Sequence, residues 1–221
     1  MCNLYSMTST QQAIRDLARV WKHSAGNVPP LPGVFPDYHA PIVRNQPGGR
    51  ELVMARWGMP SPVFVLKGRN SDPGVTNVRN TASPHWRRWL GPENRCLVPF
   101  TSFSENEVLP DGRQTPVWFA LSGKRPLAFF AGIWTRWTSV RKVKEGETTN
   151  DLFAFLTTEP NAEVAVIHPK AMPVILTTAE QIEQWMDAPP IEALKLQRPL
   201  PGGALMVVGR GEKQDGETRL A

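Results

Sequence analysis

The sequence predicts an α+β fold, a single domain built on antiparallel or mixed β-sheet, barrel-like, with a few flanking helices. Three observations point there. Apolar segments of strand length crowd the middle of the chain, and they do not alternate with helices in the regular way of a doubly wound fold. The 22 prolines among 221 residues supply many turns and keep the elements short. Hydrophobic residues at 41% and charged residues at 20% are ordinary for a globular protein, so the chain has enough apolar material for one substantial core.

Taken in order, Ser9-Thr10-Gln11-Gln12 opens a helix with a capping-box pattern, and Ile14, Leu17, Ala18 and Trp21 recur at helical spacing to form its packing face. The proline density from Pro29 to Pro36 makes Asn27 to Asp37 an irregular connector. Strands are expected at Glu51 to Arg56 and Val63 to Leu66, with Trp57-Gly58 and Pro60-Ser61-Pro62 as the turn material between them. Arg95 to Pro99, Thr115 to Leu121 and Pro126 to Ile133 read as further strands. Ser139 to Asn150 is charged and contains Gly146, which predicts an exposed hairpin loop before the apolar run Leu152 to Leu156. Met172 to Leu176 is the next strand. Thr178-Ala179-Glu180-Gln181 then opens a second capped helix carrying Ile182, Trp185 and Met186, and Pro189-Pro190 stops it. Ala204 to Val208 is the last strand, and residues 211–221 are polar, a tail expected to fray into disorder.

Lys and Arg outnumber Asp and Glu by 25 to 20, for a net charge of +5 and a pI near 9.5. That surplus is compatible with phosphate binding without requiring it. No apolar run approaches the roughly 20 residues of a membrane helix, and the N-terminus lacks the layout of a signal peptide. The expectation is a soluble, cytoplasmic protein. Its two cysteines, Cys2 and Cys96, lack a metal-ligand spacing and are expected as free thiols, with no metal and no cofactor.

Cys2 follows the initiator methionine, and its small side chain permits removal of Met1. Removal leaves an α-amine and a thiol on one residue. With an aldehyde the amine forms an imine, and the thiol adds to the imine carbon to close a five-membered thiazolidine, with the advantage of an intramolecular reaction. An α-amine titrates near pH 8 and a thiol near 8.5, so reactive forms of both exist close to neutrality. By position alone, Cys2 also fits a small apolar side chain near a terminus.

A series of segments then resembles, in order, the SOS-response-associated peptidase (SRAP) family of abasic-site processing proteins. They are Met1-Cys2, Asn77-Val78-Arg79, Arg95-Cys96-Leu97-Val98-Pro99, Glu105 six residues beyond that proline, Phe129-Phe130-Ala131-Gly132-Ile133-Trp134, Thr157-Thr158-Glu159-Pro160-Asn161, and Ile167-His168-Pro169-Lys170-Ala171-Met172-Pro173. The blocks span residues 1 to about 176, and the resemblance implies a family domain over 1–210.

The resemblance implies that Cys2 is the nucleophile and that the substrate is an abasic site in single-stranded DNA, captured as a covalent thiazolidine. It implies Glu105 as general acid and base, His168 as a second proton-transfer group or a stabiliser of the sugar hydroxyl, and Asn77 as the group orienting the deoxyribose or the amine. Arg79 would grip a phosphate. Self-removal of Met1 and lyase-like chemistry fall within what it implies, as does a monomer that is nucleoid-associated when crosslinked. Read without the family, Glu105 suits a solvated loop, His168 and Asn77 suit turns, and Arg79 suits an ordinary surface.

The chain departs from the family where Asn3-Leu4 replaces Gly-Arg, where Phe103-Ser104-Glu105-Asn106 replaces aromatic-Tyr-Glu-Trp, and where Trp57-Gly58-Met59-Pro60-Ser61-Pro62-Val63 lacks a second tryptophan. Replacement DNA contacts are sought among Trp57, Trp86, Arg87, Arg88 and Lys170, with Trp86 and Trp89 equally suited to a core. Two other functions compete: a cysteine peptidase using Cys2 and His168, and a non-covalent single-strand DNA-binding module in which Cys2 is incidental.

Overall fold

A computed structural model describes residues 2–215. In chain order the elements are β1 (Leu4–Met7), α1 (Gln11–Leu17), β2 (Val20–His23), β3 (Leu31–Val34), β4 (His39–Gln46), β5 (Gly49–Trp57), α2 (Val63–Leu66), β6 (Asn77–Val78), α3 (Pro84–Arg87) and β7 (Arg95–Phe100). They continue with β8 (Ser102–Val108), β9 (Gln114–Ala120), β10 (Ala128–Val140), β11 (Glu147–Thr158), α4 (Ala162–Ala165), β12 (Met172–Pro173), β13 (Ile175–Leu176), α5 (Ala179–Asp187), α6 (Pro190–Ala193) and β14 (Met206–Arg210).

Five strands close on themselves. β10 pairs antiparallel with β11 and β7, β4 pairs antiparallel with β7 and β5, and β5 returns parallel to β11 at Leu152 to Arg56 and Phe153 to Trp57. Closure satisfies edges that an open sheet would leave bare. A second sheet in the order β14-β9-β8-β1-β3 packs beside this barrel, and the α+β class follows. The shared core is aromatic: Phe100 stacks on Phe130, Phe130 packs against Phe155, and Tyr5 of β1 meets Trp57, Phe130 and Phe155 edge to face. Such edge contacts suit the ring quadrupoles and add to the burial of large rings.

Both predicted caps form. The Thr10 side chain accepts the Ala13 N–H, and Thr178 and Gln181 complete a reciprocal capping box on α5. The buried Arg95 guanidinium donates to the Trp185 and Ala188 carbonyls, placing a cation at the α5 C-terminus where the helix dipole favours it.

Several expectations need correction. α1 ends at Leu17 because Arg19 turns into the left-handed region at φ 52°, so Trp21 lies on β2 and is exposed instead of continuing the helical face. The proline-rich connector contains β3, an edge strand on β1, the location where proline is tolerated. Val63–Leu66 is a single helical turn with no strand partner; Pro62 accepts the Val65 N–H, and Val63 and Phe64 are exposed. Only the middle of the charged stretch Ser139 to Asn150 is loop: β10 and β11 stay paired out to Val140 and Glu147, leaving 141–146 between them, with Gly146 at φ 67°.

The polar tail is docked through Asp215. Gly211 donates to the Pro116 carbonyl, Trp118 donates to the Glu212 carbonyl, and the Asp215 N–H donates to Pro32. The buried Asp215 carboxylate accepts from Ser102 and Arg125, interactions that polar composition alone does not announce. The remainder of the expected tail, 216–221, lies outside the described residues, as does Met1.

Candidate functional site

The site begins with register. β1 lies between β3 and β8 with Leu4 opposite Ser104, which brings the residues just ahead of Leu4 alongside Glu105 on β8. Cys2 is fully buried, its thiol hydrogen-bonded to the Leu4 carbonyl at 3.5 Å. Asn77 reaches it from a different part of the chain. β6 runs parallel to β11 with Asn77 opposite Phe155, and from there the Asn77 amide donates to the Cys2 carbonyl at 2.8 Å and to Thr76 Oγ1 at 2.8 Å.

Glu105 is 3% exposed, and its carboxylate lies 3.9 Å from His168 Nε2. Burial raises the Glu105 carboxyl from its ordinary 4.5 to about 7. Burial also pushes the Cys2 thiol well up, and the nearby Glu105 charge adds to that rise. His168 follows α4, its backbone N–H held by the Val164 carbonyl at 2.7 Å, and burial lowers its imidazole below the usual value with Lys170 contributing in the same direction. Near neutrality the pair thus offers a carboxyl poised between two protonation states beside a neutral imidazole.

A cavity of about 530 Å³ opens over this group, with Asn3, Leu4, Ser104, Glu105, His168 and Lys170 among its walls. Cys2 lies one residue behind the Asn3 wall. Glu105 is the only carboxylate among the cavity's described lining residues, whereas Lys170 and Lys213 supply cations at its rim. The space therefore suits a ligand whose reacting end meets a proton-transfer pair and whose flanks are anionic.

Four expected residues, Cys2, Glu105, His168 and Asn77, thus come together from β1's lead-in, β8, the segment after α4, and β6. Arg79 is exposed beside them, donating to the Lys170 carbonyl at 3.2 Å and facing Glu159 at 3.6 Å. Lys170 is exposed on the cavity wall. Arg87 and Arg88 are exposed on and just after α3, with the Arg88 guanidinium 3.9 Å above the Trp89 ring, while Trp86 and Trp89 are buried. Trp57 is a correction. It is fully buried, stacked on Phe155, with its indole N–H donating to the Thr76 carbonyl at 3.1 Å, so no nucleic acid base can stack on it. The β5 strand turns this residue into the barrel because Trp57 pairs with Phe153 where the ring closes.

Sequence reasoning missed Asn3, Ser104, Phe35 and Lys213 as cavity residues. Strand alternation would place Ser104 on the face opposite Glu105, so period two gives no signal for it, and nothing in the local sequence distinguishes Lys213. Among the described residues no group of three His, Cys, Asp or Glu side chains could hold a metal ion, and no helix is long and apolar enough to cross a membrane.

The family model for SOS response associated peptidase (SRAP) matches residues 1–209. The chain belongs to the SRAP family. Membership connects it to the SOS response and to a DNA-related role. The SRAP chain also shares its fold with solved structures. A protein from Bacteroides thetaiotaomicron aligns with a TM-score of 0.69 at 22% identity, covering 93% of this chain and 90% of that one. A protein from Bordetella bronchiseptica aligns at 0.68 and 22%, covering 93% and 98%, and a phage-related protein from the same organism aligns at 0.67 and 20%, covering 93% and 92%. No curated protein matches the SRAP sequence.

Proposed function

We propose that this SRAP protein captures the aldehyde of an abasic site in single-stranded DNA as a thiazolidine on Cys2, once Met1 has been removed. The observation that carries this reading is a chain of neighbours beside one cavity: Asn77 bonds the Cys2 carbonyl, the Glu105 charge acts on the Cys2 thiol, and His168 lies 3.9 Å from Glu105. The neutral α-amine of Cys2 attacks the C1′ carbonyl of the ring-opened sugar, and the resulting carbinolamine loses water to form an imine. The thiol then adds to the imine carbon while its proton passes to nitrogen, closing the ring. Every step moves a proton, and Glu105 near pH 7 can both give and take one. His168, whose Nε2 lies 3.9 Å from the Glu105 carboxylate, would exchange a proton with it through one intervening water or after closing on the bound sugar. Asn77 fixes residue 2 through its carbonyl, holding the amine and thiol in a common orientation.

Single-stranded DNA suits the cavity, because a continuous duplex would keep the aldehyde away from a buried residue. Phosphate contacts from Arg79, Lys170, Arg87 and Arg88 supply affinity, and a lesion without a base needs no base reading. The same acid-base pair would serve hydrolysis of the bond between Met1 and Cys2.

The test is a denaturing gel. Protein whose N-terminal residue has been shown by mass spectrometry to be Cys2 is incubated with single-stranded DNA bearing one abasic site. A heat-resistant shifted band is expected, absent for Cys2→Ala. An undiminished band from Cys2→Ala, or no band from intact protein with free Cys2, defeats the proposal. Turnover of an unrelated peptide would support the peptidase reading instead.

A further inference from the structure

The cavity wall contains a residue from the far end of the chain, beyond the 1–209 segment that matches the family. Lys213 borders the same space as Glu105, His168 and Lys170. Its backbone is held on both sides. Before it, Gly211 donates to Pro116 at 2.9 Å and Glu212 accepts the Trp118 indole N–H at 2.8 Å. After it, the Asp215 N–H donates to Pro32 at 2.8 Å and the Asp215 carbonyl accepts from Ser6 Oγ at 2.7 Å. The Asp215 carboxylate also takes both nitrogens of the Arg125 fork, at 2.7 and 2.8 Å. That is the bidentate geometry in which a guanidinium and carboxylate bind most specifically. Gly33 of β3 is part of the seat: a Cβ there would lie 2.8 Å from the Lys213 carbonyl, so the tail passes this close only because residue 33 has no side chain.

We propose that the docked segment 211–215 is a clasp whose purpose is to present Lys213 as a phosphate contact for single-stranded DNA, with Asp215 as the positioning residue. Lys213 then supplies a cation in addition to those of Arg79 and Lys170, from a segment independent of theirs. The proposal rests on reading the cavity as a DNA site, but not on covalent chemistry at Cys2. Pinning Gly211, Glu212 and Asp215 imposes an ordering cost on the segment. Burial of Asp215 with two serines and an arginine offsets it, and the result is an exposed lysine held at the cavity.

The experiment measures fluorescence anisotropy of full-length protein with an unmodified single-stranded oligonucleotide across a salt series. Each phosphate contact to a single strand contributes about 0.7 to the slope of log affinity against log salt. Lys213→Gln is expected to weaken binding and reduce the slope by about 0.7, and Lys213→Arg to retain it. Lys144→Gln, which removes the same charge from the β10–β11 loop, is expected to leave the slope unchanged. Asp215→Asn and Gly33→Ala are expected to reproduce the Lys213→Gln slope with Lys213 still present, and thermal melts check that these two variants remain folded. A slope for Lys213→Gln equal to that of Lys144→Gln overturns the phosphate contact. Wild-type slopes for folded Asp215→Asn and Gly33→Ala overturn the clasp. Failure of the crosslinking proposal reads differently: abasic DNA gives no heat-resistant band, while the anisotropy slope still depends on Lys213.

Discussion

Replacing Glu105 with Gln separates the stability cost of the site from its chemistry. In the folded protein burial raises this carboxyl from 4.5 to about 7. The native state therefore holds a proton that the unfolded chain has already released between those values, and stability falls as pH rises through that window. Above pH 7 the buried carboxylate is ionised at a cost of about 3 kcal/mol relative to a group left at its ordinary value. Gln keeps the shape and cannot ionise. Glu105→Gln should accordingly melt near the wild-type temperature at pH 4, and at pH 8 be the more stable protein by up to about 3 kcal/mol. For a chain of this size that corresponds to a rise of roughly 6–12 °C in Tm. Crosslinking to abasic single-stranded DNA at pH 7 should slow by about 10²- to 10⁴-fold, the usual contribution of a positioned proton-transfer group. Calorimetry at the two pH values and timed denaturing gels provide the measurements. An equal Tm difference at pH 4 and pH 8 refutes the buried-carboxylate argument, and an unchanged rate refutes the catalytic role.

Two further substitutions probe the surroundings. Asn77→Ala removes the 2.8 Å bond to the Cys2 carbonyl and leaves a buried acceptor without its donor. It should cost about 1–3 kcal/mol in urea unfolding and depress crosslinking more than the affinity for unmodified single strands. Equal losses in both would show that Asn77 acts only through DNA binding. Trp57→Ala empties a core position against Phe153 and Phe155, and should destabilise by about 3–5 kcal/mol in a denaturant titration. Trp57→Phe, which keeps most of the packing, should retain the affinity for unmodified single strands; a folded variant that binds them more weakly would restore Trp57 as a stacking contact.

Much of the fold was legible because it depends on local chemistry. Thr10 and Thr178 announce their helices through side chains that bond the first turn, and the apolar run within Pro126 to Ile133 reads as the strand that β10 forms. The misread elements are those whose state depends on a partner distant in sequence. Leu31–Val34, despite its Pro and Gly, becomes a strand because β1 offers it an edge, while the more apolar Val63–Leu66 finds no edge and coils into one turn. Trp57 is a candidate replacement DNA contact where the chain departs from the family, but closure of the barrel at Phe153 places its ring in the core. The catalytic candidates were legible as an ordered series of short motifs, none of which implies the others by spacing.

By itself, then, the sequence determined the chemistry available: an aminothiol at residue 2 once Met1 is gone, together with a glutamate, a histidine and an asparagine in a recognisable order. Only the tertiary structure decided what those groups become. Burial on β8 turns Glu105 from an ordinary carboxylate into one that titrates near pH 7, and the parallel pairing of β6 with β11 brings Asn77 within 2.8 Å of a residue 75 positions away. A clasp seated on Gly33 brings Lys213 to the same cavity. The reason is physical: residue identity sets what a group can donate or accept, whereas desolvation and distance, which set its proton affinity and its partners, exist only after long-range strand pairing has enclosed it.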